Sequence, residues 1–186
     1  MRKIIVSNYV TLDGFFAGPN GEFDWFVWDD ETAQYSKELL TSMDTILFGR
    51  VTYELMAGYW PTASPPAEDQ VIIDAMNNLP KIVFSKTLDK VSWKNSKLIR
   101  GEIAEEISKL KQQSGKDMVI YGSGSIVSTL TNLGLIDEYR IFINPVVLGS
   151  GKPLFKGIKD RLNLKLFKTK TFHSGVVLLH YQHDKK

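Results

Sequence analysis

Two short glycine-containing segments carry the groups best suited to binding phosphate. The segment Gly49-Arg50-Val51-Thr52-Tyr53-Glu54 follows an apolar run, and so does the segment Tyr121-Gly122-Ser123-Gly124-Ser125-Ile126. Each pattern predicts a buried strand that ends in glycine and turns into a helix. The first N–H groups of such a helix lack intrahelical acceptors and favour an anion, typically a phosphate. Two such turns favour a ligand with more than one phosphate, for which a dinucleotide is the obvious candidate.

Side chains in and near the first turn are also suited to phosphate. Gly49 would let a ligand approach the backbone closely, Arg50 would supply a cationic fork, and Thr52 would supply a hydroxyl donor. Ser85 and Lys86 end another predicted strand, at the edge where ligands gather in open α/β sheets, and the lysine could meet a ribose phosphate. A plain strand–helix turn with a solvated arginine, and an exposed loop lysine, explain the same residues without a ligand.

The second turn has two glycines that would admit a pyrophosphate, Gly122 and Gly124, and two hydroxyl donors, Ser123 and Ser125. It lacks the third glycine and the downstream acid of the G-x-G-x-x-G dinucleotide fingerprint. Taken alone, it is more typical of an ordinary structural turn. Together, the two turns are expected at opposite ends of one cofactor groove.

Carboxylates and aromatic rings are the candidates for a substrate pocket. Asp13 follows the first predicted strand, where it could act as a general acid or cap a turn. Asp29 and Asp30 begin a predicted helix, and helix capping is the competing explanation for both. Four large rings precede that helix, at Phe23, Trp25, Phe26 and Trp28. They could form the wall of a pocket for a flat heterocycle, and core packing explains them equally well.

Strands alternating with helices predict a mixed α/β sheet with helices on both faces. Strands are predicted at 3–10, 44–49, 81–85, 97–100, 117–121 and 138–144. Helices are predicted after each glycine turn and over 30–42, 68–77 and 102–113, with loops at 11–21 and 58–67. The last two strands, 164–172 and 176–183, are predicted to form an antiparallel hairpin around His173-Ser174-Gly175.

The composition excludes several classes of function. The 186 residues fit one domain, 1–186, and a net charge of +2 is too small to indicate a nucleic-acid or membrane partner. The absence of cysteine excludes disulfides, thiolate metal sites and cysteine nucleophiles. His180 and His183 fall on opposite faces of a predicted strand, so no metal site is expected. No window approaches the ~18 apolar residues of a membrane span, and a cytoplasmic protein is expected.

These motifs together resemble the dihydrofolate reductase-like superfamily, and more closely the stand-alone proteins related to the reductase domain of bacterial riboflavin biosynthesis. The resemblance spans essentially the whole chain. It rests on Thr11-Leu12-Asp13-Gly14-Phe15, on the two glycine turns, and on the segments 137–141 and 145–151. Riboflavin reductases are often fused to a zinc deaminase domain with H-x-E and P-C-x-x-C motifs. This chain has no cysteine and no room for that domain, so no deaminase activity is expected of it.

The resemblance implies a three-layer fold with a mixed, mostly parallel sheet, and an NADPH-dependent reductase that acts as a homodimer on a small molecule. In such a protein Gly49, Arg50 and Thr52 would bind cofactor phosphates. Ser85 and Lys86 would lie near the 2′-phosphate of the adenosine ribose.

The resemblance also gives roles to the second turn and to the carboxylates. The segment Gly122–Ile126 would lie near the pyrophosphate and the nicotinamide, and Asp13, Asp29 and Asp30 would border the substrate pocket. A hydride would pass to a polarised C=N or C=O bond. The nearest named reaction is the reduction of 5-amino-6-(5-phosphoribosylamino)uracil, although no further Arg/Lys cluster is evident for a substrate phosphate. A dihydrofolate or pterin reductase, and a non-catalytic binding protein for a flat aromatic ligand, are the alternatives.

Overall fold

The chain alternates strands and helices along most of its length, as the sequence predicts. The computed structural model of the protein describes residues 1–184, so residues 185 and 186 of the predicted domain lie outside the described residues. The strands are β1 (Ile4–Thr11), β2 (Phe15–Ala17), β3 (Met43–Gly49), β4 (Lys81–Phe84), β5 (Ser96–Ile99), β6 (Asp117–Tyr121), β7 (Glu138–Asn144), β8 (Lys152–Pro153), β9 (Leu164–Thr171) and β10 (Val177–His183). The α-helices are α1 (Asp30–Ser42), α2 (Arg50–Tyr59), α3 (Gln70–Asn78), α4 (Ile103–Gln112) and α5 (Gly124–Asn132).

Eight of these strands form one sheet in the order β5-β4-β3-β6-β1-β7-β10-β9. Every pair from β5 to β7 is parallel, and only β10 runs the other way, between β7 and β9. The mixed, mostly parallel sheet and the C-terminal antiparallel hairpin are therefore confirmed. Its central strand β1 is paired on both sides, in agreement with the continuously apolar sequence of that strand.

The core lies on both faces of the sheet. Alternate residues of β1 show this, because Ile4 and Val6 pack with α4 and α5 whereas Ile5 packs with α1, α2 and α3. The side chains on α4 and α5 include Ile107 and Leu130, which are fully buried. Helices therefore cover both faces, giving three layers as predicted.

The sheet order places the ends of the predicted binding segments side by side. Strands β4, β3, β6, β1 and β7 are adjacent and parallel, so their carboxyl ends meet at one edge. This edge carries Ser85 after β4, Gly49 at the end of β3, Gly122 after β6 and Thr11 at the end of β1. In open α/β sheets, ligands bind at this edge.

Two segments predicted as loops contain short regular elements. Within the 11–21 segment, β2 pairs antiparallel with β8 and forms a separate two-stranded sheet. Strands of two or three residues are too short to show an alternating pattern in the sequence. Within the 58–67 segment, α2 runs on to Tyr59 and a 3₁₀ turn follows at Trp60–Thr62. In residues 1–184, no helix is long and apolar enough to span a bilayer.

Candidate functional site

The two glycine turns touch each other through hydrogen bonds. The Gly49 N–H donates to Ser123 Oγ at 2.8 Å, and the Ser123 N–H donates to Thr52 Oγ1 at 2.8 Å. Both hydroxyl-bearing residues are buried. The expectation that the turns lie at opposite ends of a groove is therefore wrong, because β3 and β6 are neighbouring parallel strands whose ends meet. They form one composite turn region, with α2 and α5 leading away from it.

Close packing between the turns explains two of the glycines. Gly122 has a φ of +56°, and a Cβ added there would lie 2.8 Å from the Thr52 side chain. A Cβ added at Gly49 would lie 3.1 Å from Ile126. Ser123 also adopts a left-handed conformation, with φ +57°, which is uncommon for a residue that carries a side chain. Such strain is concentrated at ligand-binding and active sites.

A buried asparagine holds this strained turn in place. Asn8 donates its amide N–H to the Gly122 carbonyl at 3.1 Å and accepts the Gly122 N–H at 2.6 Å. Its side chain thus satisfies both backbone groups of Gly122, much as another strand would. Sequence reasoning did not single out Asn8. The signal was a polar side chain inside the apolar strand β1, but its partner becomes visible only once β1 and β6 are known to be adjacent.

The helices that begin at the composite turn have free first-turn N–H groups. Neither α2 nor α5 has a side-chain cap at its N-terminus, and α4 also lacks one. By contrast, α1 and α3 are capped by Asp29 and Asp69. The free N–H groups of α2 and α5 point to the same edge of the sheet, where they could bind an anion together.

Gly124 and its neighbours form the start of α5. A Cβ added at Gly124 would lie 2.8 Å from the Phe16 ring, so the short strand β2 covers this helix start. Ser125 is exposed and Ile126 is buried in the core. The second predicted binding segment therefore has a backbone partly covered by an aromatic ring and one hydroxyl that faces solvent.

A cleft of about 570 Å³ opens beside the first turn and contains Arg50. Its other lining residues are Glu54, Thr87, Leu88, Asp89 and Lys90. Arg50 Nη1 lies 3.1 Å from Glu54 Oε2, and both side chains are nearly half exposed. An exposed pair of this kind contributes well under about 1 kcal/mol, so Arg50 can turn toward a bound anion at little cost.

Ser85 and Lys86 directly precede Thr87, which lines this cleft. Ser85 Oγ accepts the N–H of Leu88 at 2.9 Å and that of Thr87 at 3.2 Å, so the hydroxyl organises its own loop. Lys86 is exposed and its Nζ lies 3.4 Å from Glu102. The structure thus brings both residues to the same sheet edge as Arg50.

Asp13 ties two loops together at the end of β1. Its carboxylate accepts the Gly149 N–H at 2.8 Å and the Leu148 N–H at 3.3 Å. Hydrogen bonds from the Thr11 hydroxyl and from these two N–H groups hold the pKa of Asp13 below its ordinary value. The carboxyl is thus ionised at neutral pH. Asp13 therefore has a structural role, which joins it to a distant loop and not only to its own turn, and the role of general acid stays a prediction.

Asp29 and Asp30 lie at the start of α1. Asp29 accepts the Thr32 N–H at 2.8 Å, and Thr32 Oγ1 accepts the Asp29 N–H at 2.9 Å, which completes a capping box. The backbone hydrogen bond from Thr32 is the main cause of a lowered pKa at Asp29. Asp30 is exposed in the first helical turn. The capping interpretation is confirmed for Asp29, and the contacts described for residues 1–184 join neither aspartate to the glycine turns.

Aromatic rings cluster around Tyr9, near the end of β1. Tyr9 stacks on Phe142 at 4.5 Å between ring centroids and contacts Phe26 at 5.3 Å and Trp28 at 6.2 Å. Phe23 stacks on Phe26 at 4.4 Å. We call these five residues the aromatic wall. Their inner rings pack against the core, whereas Trp28 and Phe23 remain 40% and 36% exposed, so both interpretations of the loop rings hold in part.

The tyrosine that precedes the second turn has a buried hydroxyl without a partner. Among the described residues, no hydrogen-bond partner reaches Tyr121 Oη. Burial raises the pKa of this hydroxyl well above its ordinary value. The ring lies in the layer that also contains Tyr9, Tyr35 and Arg140, all close enough to influence its charge. A buried donor without an acceptor requires an explanation, and one explanation is a bound ligand.

Two histidines of the C-terminal hairpin, His173 and His180, each contact one carboxylate. His180 is buried and its Nε2 lies 2.9 Å from Glu138 Oε2. Within residues 1–184, no cluster of three His, Asp or Glu side chains could hold a metal ion.

Comparison with known proteins agrees with this architecture. The structure from Shewanella sp. PV-4, described as a riboflavin biosynthesis protein, matches 98% of this chain and 99% of its own, with a TM-score of 0.79 and 22% identity. The dihydrofolate reductase from Enterococcus faecalis, complexed with NADP(H), matches 98% and 97% with a TM-score of 0.64 and 14% identity. The fold is thus that of the dihydrofolate reductase-like α/β proteins.

Sequence comparison narrows this class to one family. The model of the RibD C-terminal domain matches residues 2–178. The uncharacterized protein YyaP of Bacillus subtilis (strain 168) is 43% identical over 180 residues, which cover 97% of this chain and 94% of YyaP. The chain belongs to the RibD C-terminal domain family.

Proposed function

We propose that this protein is an NADPH-dependent reductase of a small heterocyclic substrate. The observation that carries the proposal is the composite turn, in which two glycine turns are joined by hydrogen bonds and two uncapped helices begin. This arrangement places free N–H groups from two helices within one region, which suits a ligand with neighbouring phosphates. Family membership supports a reductase.

The residues present fit a dinucleotide with a 2′-phosphate. Gly49 and Gly122 allow the two turns to pack closely, since a Cβ at either would crowd Ile126 or Thr52, and the Thr52 hydroxyl lies between the turns, where it accepts the Ser123 N–H. Arg50 opens onto a cleft large enough for a nucleotide fragment, and Ser85 and Lys86 directly precede Thr87, which lines it. We assign Gly49, Arg50 and Thr52 to the cofactor phosphates and Ser85 with Lys86 to the 2′-phosphate region.

We assign the nicotinamide end to the start of α5, the segment from Gly122 to Ile126 that includes Ser123, Gly124 and Ser125. When bound, NADPH supplies a hydride. The protein's part is to orient the acceptor bond, a C=N or C=O, and to exclude water from it. We propose that Asp13, Asp29 and Asp30 border the substrate pocket. Because the Asp13 carboxyl is ionised at neutral pH, it would position the substrate by accepting hydrogen bonds.

The nearest named reaction is the reduction of 5-amino-6-(5-phosphoribosylamino)uracil, which the riboflavin connection of the family supports. We further propose that residues 1–186 form a single domain and that the protein acts in the cytoplasm as a homodimer. Size-exclusion chromatography with light scattering tests the dimer directly.

Thermal unfolding with each cofactor tests the proposed function. NADPH is expected to raise the Tm more than NADH does, because only NADPH carries the 2′-phosphate that the site is proposed to bind. A ligand at 100 times its Kd stabilises the native state by about 2.7 kcal/mol. Absence of any Tm change with millimolar NADPH would contradict the proposal.

Arg50→Ala tests whether the 2′-phosphate is among the cofactor phosphates that Arg50 binds. We expect this variant to weaken NADPH binding at least about tenfold while leaving NADH binding little changed, because a charge-assisted hydrogen bond contributes about 1.5–3 kcal/mol. Arg161→Ala removes an exposed arginine outside the cleft and serves as the control. Equal losses for both cofactors would show that Arg50 does not contact the 2′-phosphate.

A further inference from the structure

A row of hydrogen-bonding side chains crosses three parallel strands on the face of the sheet that α1 covers. Ser7 of β1 is in register with Tyr121 of β6 on one side and with Arg140 of β7 on the other. Residues in register point to the same face of a sheet, and Ile5, two positions before Ser7, packs with α1 on this face. We call Ser7, Tyr121 and Arg140 the polar row. Polar groups in such a buried layer need hydrogen-bond partners.

Two donors of the polar row have no partner. Tyr121 Oη and Arg140 Nε are buried, and no hydrogen bond reaches either atom within residues 1–184. Arg140 Nη2 donates to Glu138 Oε2 at 2.9 Å and Nη1 donates to Tyr35 Oη at 3.4 Å, so the other two nitrogens fix the guanidinium in place. Leaving a buried donor unpaired lowers stability. Two such donors in one row therefore indicate that a ligand supplies the acceptors.

The polar row lies beside the place proposed for the nicotinamide. Tyr121 directly precedes Gly122, the first residue of that segment. Tyr121 is partly exposed, and the Arg140 side chain is 19% exposed, although the unpaired atoms of both are buried. A ligand can therefore approach these side chains from solvent.

The next row on the same face consists of aromatic rings. Tyr9 and Phe142 are in register, two positions after Ser7 and Arg140, and their rings stack at 4.5 Å between centroids. Tyr35 of α1 joins the two rows, because its ring meets that of Phe142 at 5.4 Å and its hydroxyl accepts a hydrogen bond from Arg140. Aromatic rings next to unpaired donors suit a planar ligand that has acceptor atoms on its edge.

The charges around the polar row favour a neutral acceptor over an anion. The Arg140 charge is matched by the Glu138 carboxylate at 2.9 Å. Burial raises the pKa of Tyr121, so the surroundings of this hydroxyl disfavour negative charge. The carbonyl oxygen of a ring accepts hydrogen bonds without bringing a charge into this layer.

We propose that Tyr121 and Arg140 select a substrate ring of the pyrimidinedione class by donating hydrogen bonds to its carbonyl oxygens. This assignment rests on the proposed function and adds two substrate-binding residues to that site. Arg140 Nε can only donate, and the unpaired Tyr121 hydroxyl is free to donate, so the pair fits oxo groups and not amino groups. The uracil ring of the reaction named above belongs to this class.

Pteridine-2,4-dione and 2,4-diaminopteridine are matched probes, since they share one fused ring and carry oxo groups in the first and amino groups in the second. Fluorescence titration of the full chain is expected to give the dione an affinity at least about tenfold above that of the diamine, because the diamine presents donors to donors. Equal affinities, tighter binding of the diamine, or no binding of the dione would each overturn the proposal.

Two conservative variants locate this preference. Tyr121→Phe and Arg140→Lys each remove one donor, the second while keeping a positive charge beside Glu138. Each is expected to lower the dione affinity about three- to tenfold without weakening diamine binding. Tyr139→Phe and Arg161→Lys, at residues outside the polar row, are the controls. The ratio of the two affinities is the readout, since a variant that only loosens the fold weakens both probes alike. Retention of the full preference by both row variants contradicts the assignment.

The cofactor experiment separates this proposal from the proposed function. Failure of NADPH to raise the Tm counts against the reductase itself. Preference for the diamine in a protein that binds NADPH normally counts only against the roles of Tyr121 and Arg140.

Discussion

Asn8 shows how much of the site depends on one side chain. It binds both backbone groups of Gly122, which precedes the left-handed Ser123 at the start of α5. The turn is short, strained and next to a helix N-terminus, so its conformation needs a partner from outside its own segment. A side chain on β1 provides that partner because β1 is paired with β6.

The substitution Asn8→Leu should therefore lower the stability of the folded protein. The substitution keeps the branched shape of the side chain but leaves the N–H and C=O of Gly122 without partners. We expect the free energy of unfolding to fall by about 2–3 kcal/mol in urea denaturation, with a matching loss of NADPH affinity. Asn20→Leu, in an exposed loop, is the control and should change little. Full stability of Asn8→Leu would mean that the turn keeps its shape unaided.

Removal of the Tyr121 hydroxyl, by contrast, is not expected to lower the stability of the fold. Because its buried hydroxyl lacks a partner within residues 1–184, Tyr121→Phe should leave the free energy of unfolding unchanged or raise it by up to about 1 kcal/mol. Tyr139→Phe is the matched comparison, since Tyr139 Oη lies 3.1 Å from Thr131 Oγ1 in the core, and its removal should cost about 1 kcal/mol. Guanidinium denaturation of both variants measures the difference, and a clear loss in Tyr121→Phe would reveal a structural partner.

At the scale of elements, Glu138 joins three strands of the sheet. It belongs to β7, and its carboxylate contacts Lys3 just before β1, Arg140 on its own strand and His180 on β10. Burial alone would raise the pKa of Glu138, but the hydrogen bonds from His180, Lys3 and Arg140 outweigh it and hold the pKa well below its ordinary value. The parallel part of the sheet and the C-terminal hairpin are thus linked through one ionised group.

The pH dependence of stability should reflect this group. Its pKa in the folded state lies below the unfolded value of about 4.3, so its stabilisation is complete above about pH 5 and is lost as the pH falls through and below that value. Glu138→Gln is expected to be about 3–5 kcal/mol less stable at pH 7. Its free energy of unfolding should also fall less than that of the wild type between pH 5 and 3. Parallel curves for the two proteins would contradict the assignment, and Glu105→Gln is the control.

At the scale of the whole molecule, the free edge of the sheet formed by β9 needs protection. This strand exposes Leu166 and Phe167, and it carries three lysines, at positions 165, 168 and 170. Lysines on an edge strand discourage pairing with another chain. Lys165→Val combined with Lys168→Val should therefore produce larger species in light scattering, whereas Lys109→Val on α4 should not. An unchanged mass in the double variant would show that the edge is protected in another way.

The sequence was sufficient to predict the long elements, and the physical reason is periodicity. Continuous apolar runs such as 4–6 and 118–120 belong to strands buried on both faces, and the amphipathic pattern over 102–113 matches α4. The two strands of the small sheet, β2 and β8, were beyond prediction because neither is long enough to repeat a pattern. Local hydrophobic patterns therefore predict the helices and strands, whereas the pairing of the strands is known only from the structure.

The site could be predicted only in its local parts. Both glycine turns were found because each is contained in a few consecutive residues. The contacts of Thr52 and Gly49 with Ser123 span more than 70 positions and depend on the order of the strands, which the alternation of elements does not determine. Asn8 was overlooked for the same reason. Its role depends on a neighbour 114 positions away.

The bonds among Gly49, Ser123 and Thr52 have one more consequence, for the timing of assembly. Hydrogen bonds join the N-termini of α2 and α5 to each other. The relative position of the two N-termini is therefore set when the chain folds and not when a ligand binds. A ligand that spans both then loses its own freedom of motion but does not have to immobilise the protein as well. When one part of such a ligand binds the N-terminus of one helix, the N-terminus of the other helix is already in position to bind the second part.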